Sequence, residues 1–188
     1  MFEYEKKIML TADEYLSIAM LVFKYAPSQT QTNYYFDNDD FSMNEKGITC
    51  RIRAKAGKYK ATVKNHNVEH PDCSIEVDLV EKTEFEPQIF NVFDLHQQGK
   101  LVTDRIVLYK DSFCEMVLDR NVYLGHTDFE LEVEYCKQSE ETVKSLIANI
   151  AQCLVTTEQI RGVDEFLSRL GQGRPKSQRF FERLKNLK

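Results

Sequence analysis

The chain has 188 residues, of which 42% are hydrophobic and 29% are charged, a composition typical of one folded globular domain with a sizeable core. Its net charge of -5 lacks the basic excess of a nucleic-acid-binding protein. Charged residues begin at Glu3 and no window approaches the apolar length of a membrane span, so we expect neither a signal peptide nor a membrane partner.

The five cysteines are widely spaced and include no Cys-x-x-Cys pair, which favours reduced thiols in a reducing compartment. We therefore predict a single cytoplasmic domain spanning residues 1–188, with no nucleic-acid partner. The sequence leaves open whether the chain forms a homodimer.

In the first third of the chain, the capping box Thr11-Ala12-Asp13-Glu14 predicts a helix that runs to about Lys24. Alternating residues on either side of a turn at Ala56-Gly57 predict a hairpin. The strands predicted in this part of the chain cover 33–36, 48–55 and 58–64.

The middle of the chain is predicted to contain one more helix. The spacing of Ile89, Phe90 and Phe93 favours a helix over 87–98 that ends at Gly99. The strands predicted around this helix cover 75–80, 102–109 and 113–123.

After a turn at Gly125, acidic and apolar residues alternate over 128–135 and predict a strand. A helix capped by Ser139 is then expected, and its apolar positions repeat every 3.6 residues up to Leu154. A last short helix is predicted from Ser177 to about Leu187.

The acidic strand carries Glu130, Glu132 and Glu134 at every second position, and the segment 3–7 alternates in the same way. Successive side chains of a strand point to opposite faces, so each segment places its carboxylates in one row. Like charges in a row repel and destabilise the fold unless a hard metal ion or facing Lys and Arg side chains neutralise them.

Together these elements predict an α+β fold of about eight strands in sequential hairpins. Several strands carry ionic residues on one face and apolar residues on the other. Amphipathic helices that cover the apolar faces would turn the ionic faces inward. We therefore expect an eight-stranded antiparallel β-barrel, or tunnel, with a charged lumen and flanking helices.

Each charged row alone also fits a solvent-exposed strand face with cross-strand ion pairs. All rows together, with apolar residues consistently opposite, favour a lumen that binds a polyphosphate. Lys and Arg side chains would contact its oxygens, and Mg²⁺ or Mn²⁺ would bridge it to glutamates. The basic rows are Arg51-x-Arg53-x-Lys55 and Lys58-x-Lys60-x-Thr62-x-Lys64.

Glu3-x-Glu5-x-Lys7 resembles the E-x-E-x-K signature of the CYTH domain, or triphosphate tunnel metalloenzyme, superfamily. The resemblance covers nearly the whole chain because further motifs follow in the family's order. These are Tyr34-Tyr35-Phe36-Asp37, Arg51-x-Arg53, Lys60-x-Thr62-x-Lys64, Glu76, Arg105, Asp119, Glu130-x-Glu132-x-Glu134 and Lys176-Ser177.

The resemblance implies a β-tunnel that binds a triphosphate together with a divalent metal, Mg²⁺ or Mn²⁺. The residues implied for the metal site are Glu3, Glu5, Asp119, Glu130, Glu132 and Glu134. Those implied for triphosphate binding are Lys7, Arg51, Arg53, Lys60, Lys64, Glu76, Arg105 and Lys176. Glu76 and Asp119 would orient the cationic side chains or hold a second metal. A lysine with a depressed pKa would assist an attacking water, and Lys60 is the candidate catalytic residue.

The function implied is a metal-dependent hydrolase of inorganic or small organic triphosphates. One alternative is an adenylate cyclase of the class IV type, although no adenine-reading motif is evident. A second alternative is a non-catalytic protein that binds polyphosphate or a phosphorylated nucleotide, although a simple anion receptor gains nothing from a set of carboxylates. Tyr35 and the pair Phe180-Phe181 are predicted to pack in the barrel wall and against a helix.

Overall fold

The computed structural model describes residues 3–22, 26–66 and 73–188. These residues form eight β-strands and six α-helices. The strands are β1 (Glu3–Leu10), β2 (Ser28–Asp37), β3 (Ile48–Lys55), β4 (Lys58–His66), β5 (Cys73–Lys82), β6 (His96–Lys110), β7 (Cys114–Tyr123) and β8 (His126–Tyr135). The helices are α1 (Ala12–Val22), α2 (Ser42–Glu45), α3 (Gln88–Asn91), α4 (Glu140–Thr156), α5 (Val163–Ser168) and α6 (Lys176–Lys185).

The strands are antiparallel and are hydrogen bonded in the order β1-β5-β4-β3-β2-β6-β7-β8, which closes into a barrel. The predicted α+β fold with an eight-stranded antiparallel barrel is therefore confirmed. Among the described residues, no helix is long and apolar enough to cross a membrane.

The chain divides into two compact units. Unit 1 comprises residues 1–29, 104–121 and 127–173, and unit 2 comprises 30–103, 122–126 and 174–188. That residues 1–188 form a single domain stays a prediction.

In unit 1, the capping box forms as its sequence predicts. The Thr11 amide donates to Glu14 Oε2 at 2.7 Å, and the Glu14 amide donates to Thr11 Oγ1 at 3.2 Å. Two amide groups that the first turn leaves without helical acceptors are thus satisfied. Helix α1 begins at Ala12 as a result, and the structure describes it as far as Val22.

The core of unit 1 forms where α4 packs against the apolar face of β1 and β8. Ile8 lies directly opposite Leu131, and both are buried beside Val143, Ile147 and Leu154 of the helix. The 3.6-residue spacing of α4 is thus confirmed as a core face. Because side chains alternate along a strand, the charged residues of β1 and β8 point to the opposite face.

A second contact in unit 1 joins the segment after α5 to α1. Arg169 donates to both carboxylate oxygens of Glu14, at 2.6 and 2.9 Å, and to the carbonyl oxygen of Met9. Burial raises the pKa of Glu14, but the hydrogen bonds from Arg169 and Thr11 together lower it by a larger amount, so the pKa lies below its ordinary value. The buried carboxylate is therefore held in its charged form.

In unit 2, the hairpin of β3 and β4 has the predicted strand bounds, apart from two added residues after Lys64. Its two turn residues, Ala56 and Gly57, have φ angles of 50° and 76°. A two-residue hairpin turn of the primed type requires positive φ at both positions. Lys55 lies opposite Lys58, and this register determines which residues of β3 and β4 lie opposite each other along the rest of the hairpin.

The core of unit 2 contains an aromatic cluster. Tyr35, Phe180 and Phe181 are each no more than 1% exposed, and the ring centroid of Tyr35 lies 4.9 Å from that of Phe180. The predicted packing roles of these residues are confirmed. Gly99 belongs to this contact as well, because a Cβ atom there would lie 2.7 Å from Phe180 Cζ.

The predicted helix over 87–98 is wrong. Helix α3 ends at Asn91, Asp94 adopts a left-handed φ of 57°, and β6 begins at His96. Leu95, which is 3% exposed, packs with Phe90, whereas Phe93 is 64% exposed. The apolar spacing suited a helix, but the left-handed conformation of Asp94 interrupts the helical path, and Leu95 rather than Phe93 makes the buried contact.

Replacing Arg169 with leucine should lower the free energy of unfolding at pH 7 by about 3 kcal/mol, because it leaves the buried Glu14 carboxylate without its cation. The stabilisation from Glu14 is present above its ordinary pKa of 4.5 and is lost as pH falls through the lower folded value. The loss of unfolding free energy caused by R169L should be smaller at pH 4.5 than at pH 7, because the Glu14 carboxyl, buried without its cation in the variant, protonates as the pH falls.

Urea unfolding of both proteins at the two pH values measures this difference. The matched control is Arg161→Leu, which removes an exposed arginine of the same unit and should cost under about 0.5 kcal/mol. A penalty in R169L that stays constant with pH would contradict the role of the ion pair.

Candidate functional site

Unit 1 contains a buried ionic cluster, defined here as Lys7, Arg105, Asp119, Glu130 and Glu132. Each of these residues is at most 9% exposed. They lie on β1, β6, β7 and β8, and the register of β1 with β8 places Lys7 directly opposite Glu132. Charges are rarely buried to this extent unless they are paired, so the cluster requires an electrostatic explanation.

Arg105 supplies most of the pairing within the cluster. Its Nε donates to Asp119 Oδ1 at 2.9 Å, and one Nη donates to Asp119 Oδ2 at 2.7 Å and to Glu132 Oε1 at 2.8 Å. Burial lowers the pKa of Arg105, but Glu132, Asp119 and Glu134 together raise it by a larger amount, so the pKa lies above its ordinary value. The guanidinium is therefore a fixed cation that orients two carboxylates.

Lys7 is the second cation of the cluster. Its Nζ forms an ion pair with Glu5 and donates to Glu132 Oε2 at 3.4 Å. The backbone of β1 is also contacted here, because the Gly171 amide donates to the Lys7 carbonyl at 3.0 Å. Gly173 approaches so closely that a Cβ atom there would lie 2.7 Å from Lys7 Cγ. No sequence motif had indicated that this glycine segment contacts Lys7.

Three carboxylates of the cluster are arranged as a metal site requires. Asp119, Glu130 and Glu132 each offer an oxygen atom, and these atoms lie within 4.8 Å of one another. Carboxylate oxygens are the ligands that hard cations such as Mg²⁺ prefer. The donor set of this buried ionic cluster therefore fits a divalent cation.

The remaining carboxylates of the predicted metal site lie on the same strands. Glu5 and Glu134 are directly opposite each other in the β1–β8 register, and both are less buried than Glu132. Glu3 belongs to β1, but its side chain lies outside the described residues. That these three residues bind metal stays a prediction.

Unit 2 carries a basic face, defined here as Arg51 and Arg53 of β3 with Lys60 and Lys64 of β4. Arg53 lies directly opposite Lys60, and Arg51 lies opposite Thr62. Directly opposed residues share one face of a sheet, so the four cations project from the same side. The predicted alternation of basic and apolar residues in this hairpin thus places the cations together.

Neighbouring side chains position Arg51 on the basic face. Its Nε donates to Thr62 Oγ1 at 3.2 Å, and one Nη donates to both carboxylate oxygens of Glu76, at 3.1 and 2.9 Å. Burial raises the pKa of Glu76, but Arg51, Arg53 and Lys64 together lower it by a larger amount, so its pKa lies below the ordinary value. Glu76 is therefore the counter-ion that orients Arg51.

Lys60 is less enclosed than the arginines. Its Nζ lies 2.7 Å from Asp78 Oδ2, and the two side chains are 41% and 60% exposed. An ion pair that is open to solvent stabilises little and can exchange partners. The assignment of Lys60 as a catalytic base stays a prediction.

Lys176 begins α6, and its charge acts on the basic side of unit 2. Burial raises the pKa of Tyr35, and the cations Arg51, Lys176, Arg53 and Arg179 offset part of that rise. Lys176 is thus close enough to interact electrostatically with a buried residue of β2. Its part in triphosphate binding stays a prediction.

Two predicted triphosphate-binding residues are placed among carboxylates. Lys7 and Arg105 belong to the buried ionic cluster of unit 1, where both contact Glu132. The resemblance had grouped them with Arg51 and Arg53 and had implied Asp119 as a residue that orients the cations, but no feature of the sequence indicated Glu132 as their common partner. Contact with a triphosphate stays a prediction for both.

The family model for the CYTH domain matches residues 1–161. The chain belongs to the CYTH domain family. The protein named "Putative triphosphatase YjbK" of Bacillus subtilis (strain 168) is 31% identical over 146 residues, which cover 70% of this chain and 76% of that protein.

Solved structures share the CYTH fold with this chain. The protein bh2851 of Bacillus halodurans, described as a candidate adenylate cyclase, has a TM-score of 0.61 and 20% identity, and the match covers 79% of this chain and 89% of that one. HpAC1 from Hippeastrum, for which a dominant triphosphatase activity is stated, has a TM-score of 0.54 and 16% identity and covers 80% and 86% of the two chains. Identities this low show the fold alone.

Replacing Arg105 with methionine should lower the free energy of unfolding by about 3 to 5 kcal/mol at pH 7, because Asp119 and Glu132 then remain buried without their cation. Mg²⁺ should restore part of this loss, since it can neutralise the same carboxylates. Urea unfolding with and without Mg²⁺ measures both effects.

The control is Arg120→Met on β7, whose side chain is 50% exposed and lies 3.7 Å from Asp104. It should cost less than about 1 kcal/mol and should not respond to Mg²⁺. Equal losses in the two variants would argue against Arg105 as the cation that stabilises the cluster.

Proposed function

We propose that this protein is a divalent-metal-dependent triphosphatase that hydrolyses inorganic triphosphate or a small organic triphosphate. The observation that carries the proposal is the set of three buried carboxylates, Asp119, Glu130 and Glu132, whose oxygens lie within 4.8 Å of one another. The basic face of unit 2 supports it, because clustered guanidinium and ammonium groups bind phosphoryl oxygens. The activities stated for YjbK and HpAC1 point in the same direction.

In this proposal, Asp119, Glu130 and Glu132 hold Mg²⁺ or Mn²⁺, with Glu3, Glu5 and Glu134 as further ligands. When bound, the ion supplies charge stabilisation for the phosphoryl group and for an attacking water. Arg105 orients two of the carboxylates, as its 2.7 to 2.9 Å hydrogen bonds to them support.

The basic side chains would bind the phosphate chain. Arg51 is oriented by Thr62 and Glu76, so its guanidinium loses little conformational freedom on binding an anion. Lys60 would exchange Asp78 for a phosphoryl oxygen, because the pair is open to solvent. Arg53, Lys64 and Lys176 add positive charge that offsets the charge developing on the transferred group.

An adenylate cyclase is the second candidate, and the resemblance of the fold to bh2851 favours it. Both activities need a bound triphosphate, so their products distinguish them. Hydrolysis releases orthophosphate, whereas cyclisation of ATP releases pyrophosphate and a cyclic nucleotide. A cytoplasmic location stays a prediction.

We expect purified protein to release orthophosphate from tripolyphosphate, thiamine triphosphate or a nucleoside triphosphate when Mg²⁺ or Mn²⁺ is present, and to lose this activity in EDTA. Glu130→Gln and Arg53→Gln should each reduce kcat/KM about 100-fold, since each removes charge from a phosphoryl-transfer site. Steady-state assays that read orthophosphate and pyrophosphate separately make the measurement.

The control is Glu141→Gln on α4, whose side chain is 88% exposed and which should keep full activity. Pyrophosphate with cyclic AMP from ATP would assign the cyclase. Saturable binding of triphosphates without any turnover would show a binding protein and overturn the proposed enzyme.

A further inference from the structure

Asn33 is a fully buried residue of β2 that no motif of the sequence had indicated. It lies directly opposite Arg53 in the β2–β3 register, and Arg53 lies directly opposite Lys60 on β4. The three residues therefore form one cross-strand row on the basic face of unit 2. Tyr35 lies two residues further along β2 on the same face.

The chemistry of its neighbour determines the orientation of the Asn33 amide. Arg53 Nε lies 3.1 Å from the Asn33 side chain. An arginine nitrogen can only donate, so the atom facing it must be the amide oxygen, Oδ1. The amide nitrogen Nδ2 must then point elsewhere.

Asn33 Nδ2 is buried and has no hydrogen-bond acceptor among the described residues. A buried donor without an acceptor is destabilising, and such groups in native proteins call for an explanation such as a ligand. Two carboxylates that contact the basic face are already engaged, Glu76 with Arg51 and Asp78 with Lys60. The missing acceptor should therefore come from a molecule that the basic face binds.

We propose that Asn33 Nδ2 donates a hydrogen bond to an oxygen of the bound triphosphate, which makes Asn33 an uncharged ligand-binding residue among the cations. The inference rests on the proposed function only in taking a phosphate chain as the anion. Arg53 is the positioning residue, because its contact with Oδ1 turns Nδ2 away. The amide adds a directed hydrogen bond that clustered ammonium and guanidinium charges do not provide.

The decisive variant is Asn33→Asp, which keeps an oxygen for Arg53 Nε and replaces the donor with an acceptor. Binding of tripolyphosphate to the full chain is measured by calorimetry, first in EDTA and then with Ca²⁺. We expect Kd to increase roughly 10- to 100-fold in N33D, because a hydrogen bond to a charged oxygen is lost. A residue that only supported Arg53 would show no larger increase than the added negative charge alone causes.

Gln31→Glu is the matched control for charge. Gln31 is 3% exposed, lies two residues before Asn33 on the same face, and is opposite Lys55. Q31E adds the same charge to the same strand, so an equal increase in Kd in both variants would overturn the inference. Asn33→Ala, which adds no charge and removes the donor, provides the test if N33D does not fold, and a wild-type Kd in N33A would likewise overturn it.

These measurements separate the inference from the proposed function. Binding that depends on Asn33 without any turnover would leave the inference standing while the enzyme proposal fails. Turnover with a wild-type Kd and KM in N33D would do the reverse. Absence of tripolyphosphate binding by the wild-type chain in both EDTA and Ca²⁺ would overturn the inference.

Discussion

The pairing of Arg105 with Asp119 and Glu132 is the interaction on which unit 1 depends. Strand β8 is buried on both faces, with Leu131 and Val133 in the core and Glu132 4% exposed on the other side. An ordinary half-buried strand would leave the polar face in water. Here the polar face is also removed from water, so carboxylates that lacked cations of fixed position would destabilise the unit by about 3 to 5 kcal/mol.

This constraint also fixes the register of β8. A slip of one residue would turn the glutamates into the apolar core and Leu131 into the ionic cluster, which is costly on both sides. Lys7 opposite Glu132 and Ile8 opposite Leu131 reinforce the same register from β1. The residues that the sequence marks as chemically active are therefore also those that determine how the strands pair.

The sequence predicted best those segments whose structure depends on their own residues. The hairpin of β3 and β4 follows from two-residue alternation around Ala56-Gly57, and the structure confirms the predicted bounds of its first strand and turn. The helix over 87–98 failed because burial of Phe90 and Leu95 in a cluster with the distant Phe36 of β2 overrode the local spacing. Likewise, the contact of Arg105 with Glu132 and the orientation of Asn33 depend on strand register, which residue order alone does not specify.

The two sets of ion pairs differ in how readily they exchange partners. Arg105 is 10% exposed in its side chain and binds carboxylates that are 0% and 6% exposed, so removing it leaves charges that water cannot reach. Lys60 and Asp78 are 41% and 60% exposed, and water can solvate either partner after they separate. The buried ionic cluster thus behaves as a permanent scaffold that keeps its carboxylates in place. The basic face, by contrast, can release an internal carboxylate in favour of an anionic ligand at small cost, as reversible binding of a phosphate chain requires.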